Sequence, residues 1–69
     1  MERIITIGIF NCTIKTDADG ASVTLVDPGH RIVAIGKGKT VSEAKENAWN
    51  TTKSEEAKKT LQSAMLPEP

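Results

Sequence analysis

The chain begins with apolar and polar residues in the alternating pattern that is typical of β-strands. Ile5, Ile7 and Ile9 alternate on one face, and apolar residues at 10, 12 and 14 alternate on the other. Because neighbouring side chains of a strand point to opposite faces, this change of parity indicates a bulge or bend, which we place near Gly8. We therefore predict one long, bent strand over residues 3–16.

Two turn signals divide the next part of the chain. An Asp-Gly pair at residues 19–20 and an Asp-Pro-Gly run at residues 27–29 are typical of tight connections. They flank apolar, β-branched segments at residues 21–26 and 30–36. Three strands with two short connections predict an antiparallel meander.

A helix is predicted to start at Thr40. Thr40 and Glu43 have the spacing of a capping box, in which the hydroxyl and the carboxylate satisfy early backbone N–H groups. Val41, Ala44 and Ala48 recur at helical spacing, and the two small alanines let a helix lie close to a sheet.

Weak helix formers at residues 50–52 interrupt this pattern, and helical character resumes at Ser54. A second apolar stripe follows at Ala57, Leu61, Ala64 and Met65, and it ends before Pro67. The predicted fold class is α+β: a three-stranded antiparallel meander followed by one or two helices. We expect a single domain over residues 1–66 and a disordered C-terminal tail at residues 67–69.

The composition narrows the range of functions that this chain can have. The 69 residues carry nine basic and nine acidic side chains, so the excess of positive charge that is typical of nucleic-acid binding is missing. The single cysteine, Cys12, suits a reducing cytoplasm, and no run of apolar residues predicts a signal peptide or a membrane helix. A domain of this size buries only about 60% of its unfolded surface, so self-association would help it, and we expect a homodimer.

Candidate chemistry is sparse. The loop Gly36-Lys37-Gly38-Lys39-Thr40 either holds a phosphate at a helix N-terminus or forms a strand-to-helix turn with solvated lysines. His30 has no neighbouring Cys, Asp or second His with which to bind a metal or activate a nucleophile. We therefore predict no enzyme activity, no catalytic residue, no metal and no cofactor.

The motifs resemble the N-terminal domain of HicB-type antitoxins. That family typically shows D-x-D-G at a hairpin, a D-x-P-G turn, and G-x-T-x-x-E-A-x-x-N-A at a helix start. The corresponding segments here are residues 17–20, 27–29 and 38–48. The resemblance implies a partial RNase H-like fold that binds and blocks a protein partner, either an RNA-cleaving toxin or a host factor, and it suits a phage or mobile-element protein.

A second resemblance is to the end of a double-stranded-RNA-binding domain. That family carries paired lysines at the helix start, where this chain has Val41 and Ser42. The resemblance implies nucleic-acid binding through the basic residues Arg31, Lys37, Lys39 and Lys45.

For the leading hypothesis, a protein-interaction module, four residues are candidate partner contacts: Arg31, Trp49, Leu61 and Met65. Trp49 lies at the edge of the first helix's apolar stripe, where it either covers the core or anchors an interface. The last helix either docks on its own domain or pairs with a second copy.

Overall fold

The computed structural model describes residues 1–64 and Leu66. They form one four-stranded antiparallel sheet, in the order β1-β2-β3-β4, followed by two helices. The elements are β1 (Glu2–Ile7), β2 (Phe10–Asp17), β3 (Gly20–Val26), β4 (Ile32–Gly38), α1 (Val41–Thr51) and α2 (Glu55–Ser63). The α+β class and the meander are confirmed, and the predicted number of three strands is wrong. The expectations for Met65 and for residues 67–69 lie outside the described residues.

The error lies in residues 3–16, which form a hairpin and not one bent strand. Ile7 pairs with Phe10, so that only Gly8 and Ile9 connect β1 to β2. Gly8 adopts a φ of 61°, as a two-residue hairpin turn with glycine at its first central position requires. The change of parity is real, but a chain reversal causes it. A register shift does occur elsewhere, beside Leu25, where β3 pairs with β4.

Helix α1 packs against β4 and β3 as its alanine stripe predicts. Val41, Ala44 and Ala48 are buried, and the hydroxyl of Thr40 accepts a hydrogen bond from the N–H of Glu43 at 3.1 Å. The helix approaches so closely that a Cβ built on Gly36 would lie 2.2 Å from the carbonyl oxygen of Ala44. Glycine is therefore required in β4 at the crossing point.

Helix α2 completes the core, and a short non-helical segment separates it from α1. Thr52 takes up an extended conformation, and the Ser54 side chain caps the new helix by accepting from the N–H of Ala57 at 3.2 Å. Ala57 and Leu61 are fully buried. An interruption is present, but it lies at residues 52–54 and not at the predicted residues 50–52, because α1 continues through Asn50 and Thr51. Both helices lie on the same face of the sheet. The buried apolar residues are Phe10, Cys12, Ile14, Ala21, Val23, Leu25, Ala34, Val41, Ala44, Ala48, Ala57 and Leu61.

Candidate functional site

The second face of the sheet carries no helix from the described part of the chain. We call it the open face and define it by the side chains that point away from the core. Its members are Glu2, Ile4, Thr6, Asn11, Thr13, Lys15, Ser22, Thr24, Val26, Ile32, Ile35 and Lys37.

The strand register arranges these side chains in rows across the sheet. The central row runs from Ile4 through Thr13 and Thr24 to Ile35. Ile4 is 65% exposed and Ile35 is 48% exposed, so two large apolar side chains stand in solvent at opposite edges of one row. The threonine methyl groups between them extend the apolar surface, and their hydroxyls remain able to bond a partner.

The two flanking rows differ in polarity. On one side Asn11 and Val26 lead to Ile32, which is 63% exposed. On the other side Glu2 and Lys15 form an exposed ion pair at 3.5 Å. The open face is therefore apolar toward one end of the strands and charged toward the other.

The two edges of the sheet also differ. Along β4 the carbonyl oxygens of Val33, Ile35 and Lys37 accept hydrogen bonds from side chains at the end of α1. The distances are 2.5 Å from Thr52 Oγ1 to Val33 and 2.5 Å from Asn47 Nδ2 to Lys37. The Thr51 hydroxyl lies 3.1 Å from the carbonyl of Ile35 and shares its one proton with the carbonyl of Asn47, 3.0 Å away in α1. Helix α1 thus occupies the outward carbonyls of this edge strand.

Strand β1 has no such cover. Because Ile7 and Phe10 flank a two-residue turn, the odd residues of β1 bond to β2 and the even residues direct their N–H and C=O groups outward. Within residues 1–64 and 66, the outward backbone groups of Glu2, Ile4 and Thr6 have no hydrogen-bond partner. This edge is free to pair with another strand.

The glycine-lysine loop is used for packing. Gly36 lies under α1, and a Cβ on Gly38 would lie 2.7 Å from the Glu43 side chain. Lys37 is exposed on the open face. The geometry therefore favours the strand-to-helix turn over the phosphate loop.

Among the predicted partner contacts, Leu61 is fully buried in the core, so a partner cannot reach it while α2 stays in place. Trp49 is 38% exposed, and the ammonium of Lys58 lies 5.6 Å from its ring centroid. This cation–π contact connects α1 to α2. Arg31 is exposed in the turn before β4, and Met65 lies outside the described residues. Because Leu61 lies in the core, Arg31, Trp49 and Leu61 do not form one surface.

The four basic residues of the alternative reading are also dispersed. Arg31 precedes β4 and Lys39 follows it, and a seven-residue strand separates its ends by roughly 23 Å. Lys45 donates from Nζ to the carbonyl of Ala64 at 2.6 Å, which fixes it beside the end of α2. Lys37 lies on the open face, away from Lys45 on the helical side. They do not form one basic surface.

Reactive groups are few. Cys12 is buried, and desolvation raises the pKa of its thiol to about 11, so the nucleophilic thiolate is disfavoured. Within the described ranges no three His, Cys, Asp or Glu side chains are grouped to hold a metal ion. Neither α1 nor α2 has the length and apolar character that crossing a membrane requires.

Sequence reasoning missed the large apolar residues that stand exposed on the open face, namely Ile4, Ile32 and Ile35. The signal was present as apolar residues at alternate positions on both faces of the predicted strands. Comparisons with known proteins found no matching family model, no matching curated protein and no matching solved structure.

Proposed function

We propose that this protein is a small, non-catalytic protein-interaction module of HicB-like character. Its open face docks a protein partner in the cytoplasm and blocks that partner's activity. The partner is a toxin or host factor, and the protein belongs to a phage or other mobile element. The observation that carries the proposal is the set of exposed isoleucines, Ile4, Ile32 and Ile35, on a sheet face that α1 and α2 leave bare.

Exposed apolar side chains mark interaction surfaces when they are grouped and bordered by polar residues. Here Ile32 and Ile35 share β4, and the Glu2–Lys15 ion pair borders them at the far end of the strands. Protein interfaces have the same organisation, with an apolar centre and a polar rim. The extended backbone of the sheet also holds these side chains in fixed positions, which lowers the conformational entropy lost on docking.

Duplex RNA or DNA binding through Arg31, Lys37, Lys39 and Lys45 is the competing proposal. It requires a continuous basic surface, and these residues lie on different sides of the molecule. It predicts an affinity that falls steeply with added salt. A gel-shift experiment at low salt tests it directly, and binding there would favour it over protein docking.

Affinity capture with a matched pair of variants tests the docking proposal. Ile35→Lys places a charge on the open face, and Gln62→Lys adds the same charge on exposed α2. A partner bound by the wild type and by Gln62→Lys should be lost with Ile35→Lys. With the purified partner, we expect Ile35→Lys to weaken binding by about 30-fold, the effect of losing a contact of about 2 kcal/mol.

The inhibitory role requires a second measurement. The captured partner should lose its own activity when the wild-type protein is added, and Ile35→Lys should relieve that loss. A partner captured equally well by both variants would place the docking surface elsewhere. A partner whose activity is unchanged by saturating wild-type protein would refute the inhibitory role.

A further inference from the structure

The unequal edges of the sheet lead to an inference about self-association. Helix α1 bonds the outward carbonyls of β4 through Asn47, Thr51 and Thr52. In the described chain, the outward groups of β1 have no partner. An unpaired edge strand is a template for another strand. Only one edge of this sheet is therefore open to full backbone pairing.

We propose that β1 pairs antiparallel with β1 of a second copy of this chain, with Ile4 at the two-fold axis. The two sheets then join into one continuous eight-stranded sheet. This inference concerns the edge of the sheet, and it stands or falls independently of what docks on the open face.

The register follows from which groups point outward. Glu2, Ile4 and Thr6 carry the free backbone groups, so a symmetric pairing centred on Ile4 uses all three. Ile4 then faces Ile4 of the second copy, and Glu2 faces Thr6 of the second copy. Each facing pair exchanges two N–H···O bonds in an antiparallel ladder.

Side-chain chemistry supports the same register. An apolar pair of isoleucines meets at the axis, and no like charges face each other on the open side. A pairing centred on Glu2 would place two carboxylates directly opposite, which is destabilising. A pairing centred on Thr6 would set Ile4 against Gly8 of the second copy, in the turn that follows the strand.

The size of the contact predicts a weak dimer. A six-residue strand is only about 20 Å long. A standard stable interface buries about 800 Å² per partner, which would be roughly a sixth of this protein's 4610 Å² of surface. One strand edge does not supply that area. We therefore expect association at high micromolar to millimolar concentration and a monomer at low micromolar concentration.

Ile4→Pro is the decisive variant. It removes an N–H that points away from β2, and proline is tolerated on an edge strand whose N–H faces solvent. Ile4→Thr keeps the N–H, and Ile32→Thr makes the same side-chain change on β4, at the other edge. Analytical ultracentrifugation across the concentration range should show self-association lost in Ile4→Pro and retained within a few-fold in both threonine variants.

Amide hydrogen exchange of the wild type gives a readout that does not depend on the proline variant folding. The amides of Ile4 and Thr6 should gain protection as concentration rises, and the amide of Ile35 on β4 should not change. A monomer at millimolar concentration, a folded Ile4→Pro variant that still associates, or concentration-dependent protection on β4 instead of β1 would each overturn the proposal.

Discussion

The contact between Gly36 and α1 supports a quantitative prediction about stability. A Cβ added at residue 36 would lie 2.2 Å from both Ala44 O and Ala48 N, and 2.8 Å from Ala48 Cα. These are backbone atoms, so no side chain can rotate away to relieve the clash. An ordinary contact begins at 3.4 Å, so α1 must move away from the sheet by more than about 1 Å, comparable to the shifts that follow overpacking of a core.

The cost has two parts. Overpacking a core costs about 1–3 kcal/mol. Moving α1 also stretches the hydrogen bonds that Asn47, Thr51 and Thr52 donate to β4, each worth about 1 kcal/mol. We therefore expect Gly36→Ala to lower the free energy of unfolding by about 3–5 kcal/mol. A chain of 69 residues has only about 3–10 kcal/mol in total, so the variant should lose a large share of its stability and should be unfolded if the total lies near the lower bound.

Urea unfolding followed by circular dichroism and by fluorescence of the single tryptophan, Trp49, measures this change. Gly29→Ala is the matched control, because the nearest atom to an added Cβ there is Asp27 Oδ1 at 3.4 Å. We expect the control to stay within about 0.5 kcal/mol of the wild type. If both variants unfold at the same urea concentration, the close approach of α1 to the sheet does not hold the fold together.

Three further predictions concern single residues. Cys12 should resist thiol reagents in the folded state and react once the chain is unfolded. Burial raises the pKa of its thiol from 9.0 to about 11, so its contribution to the free energy of unfolding is fully present below pH 9 and is lost as the pH rises toward 11. A Cys12→Ala variant, which has no thiol to ionise, is the reference for this pH dependence. His30→Gly should raise the urea midpoint, with a gain of about 1 kcal/mol, because His30 has a φ of 65° that favours glycine; an unchanged midpoint would contradict this strain. Leu61→Ala should cost about 2–5 kcal/mol, because the side chain is fully buried, and a loss below 1 kcal/mol would show that α2 is not part of the core.

Local chemistry made the helices predictable from the sequence. The Thr40 hydroxyl and the stripe of Val41, Ala44 and Ala48 act within one helix, and both have the predicted roles. The hairpin at Gly8 was harder, since alternation alone does not separate a bend from a reversal. Length was the available signal: a strand over residues 3–16 would exceed the usual 3–10 residues.

The candidate site depended on information that the sequence does not hold locally. Ile4 and Ile35 are as apolar as the buried Ile14, and their exposure depends on which face the helices cover. Gly36 leaves room for α1 on the face that carries Ile14, and this close approach is a tertiary effect. Leu61 was predicted to contact a partner, because an apolar helical stripe can pack either against a partner or in the core. In the structure Leu61 is buried in the core.

The residues at the C-terminal end of α1 bond the edge strand β4, so they bear on both the stability of the fold and the pairing of that edge. Thr51 and Thr52 are poor helix formers, and the structure uses their hydroxyls to bond the carbonyls of Ile35 and Val33. The side chains at the C-terminal end of α1 therefore bond carbonyl groups on the β4 edge, which a pairing strand would need. Replacing Thr51 with valine removes the hydrogen bond to the carbonyl of Ile35. Strand β4 should then become a second edge that can pair with another strand. If β1 pairs as proposed, Thr51→Val should form assemblies longer than dimers at concentrations where the wild type forms none, and analytical ultracentrifugation measures this. Identical assembly of the two proteins would show that the Thr51 side chain does not restrict pairing to β1.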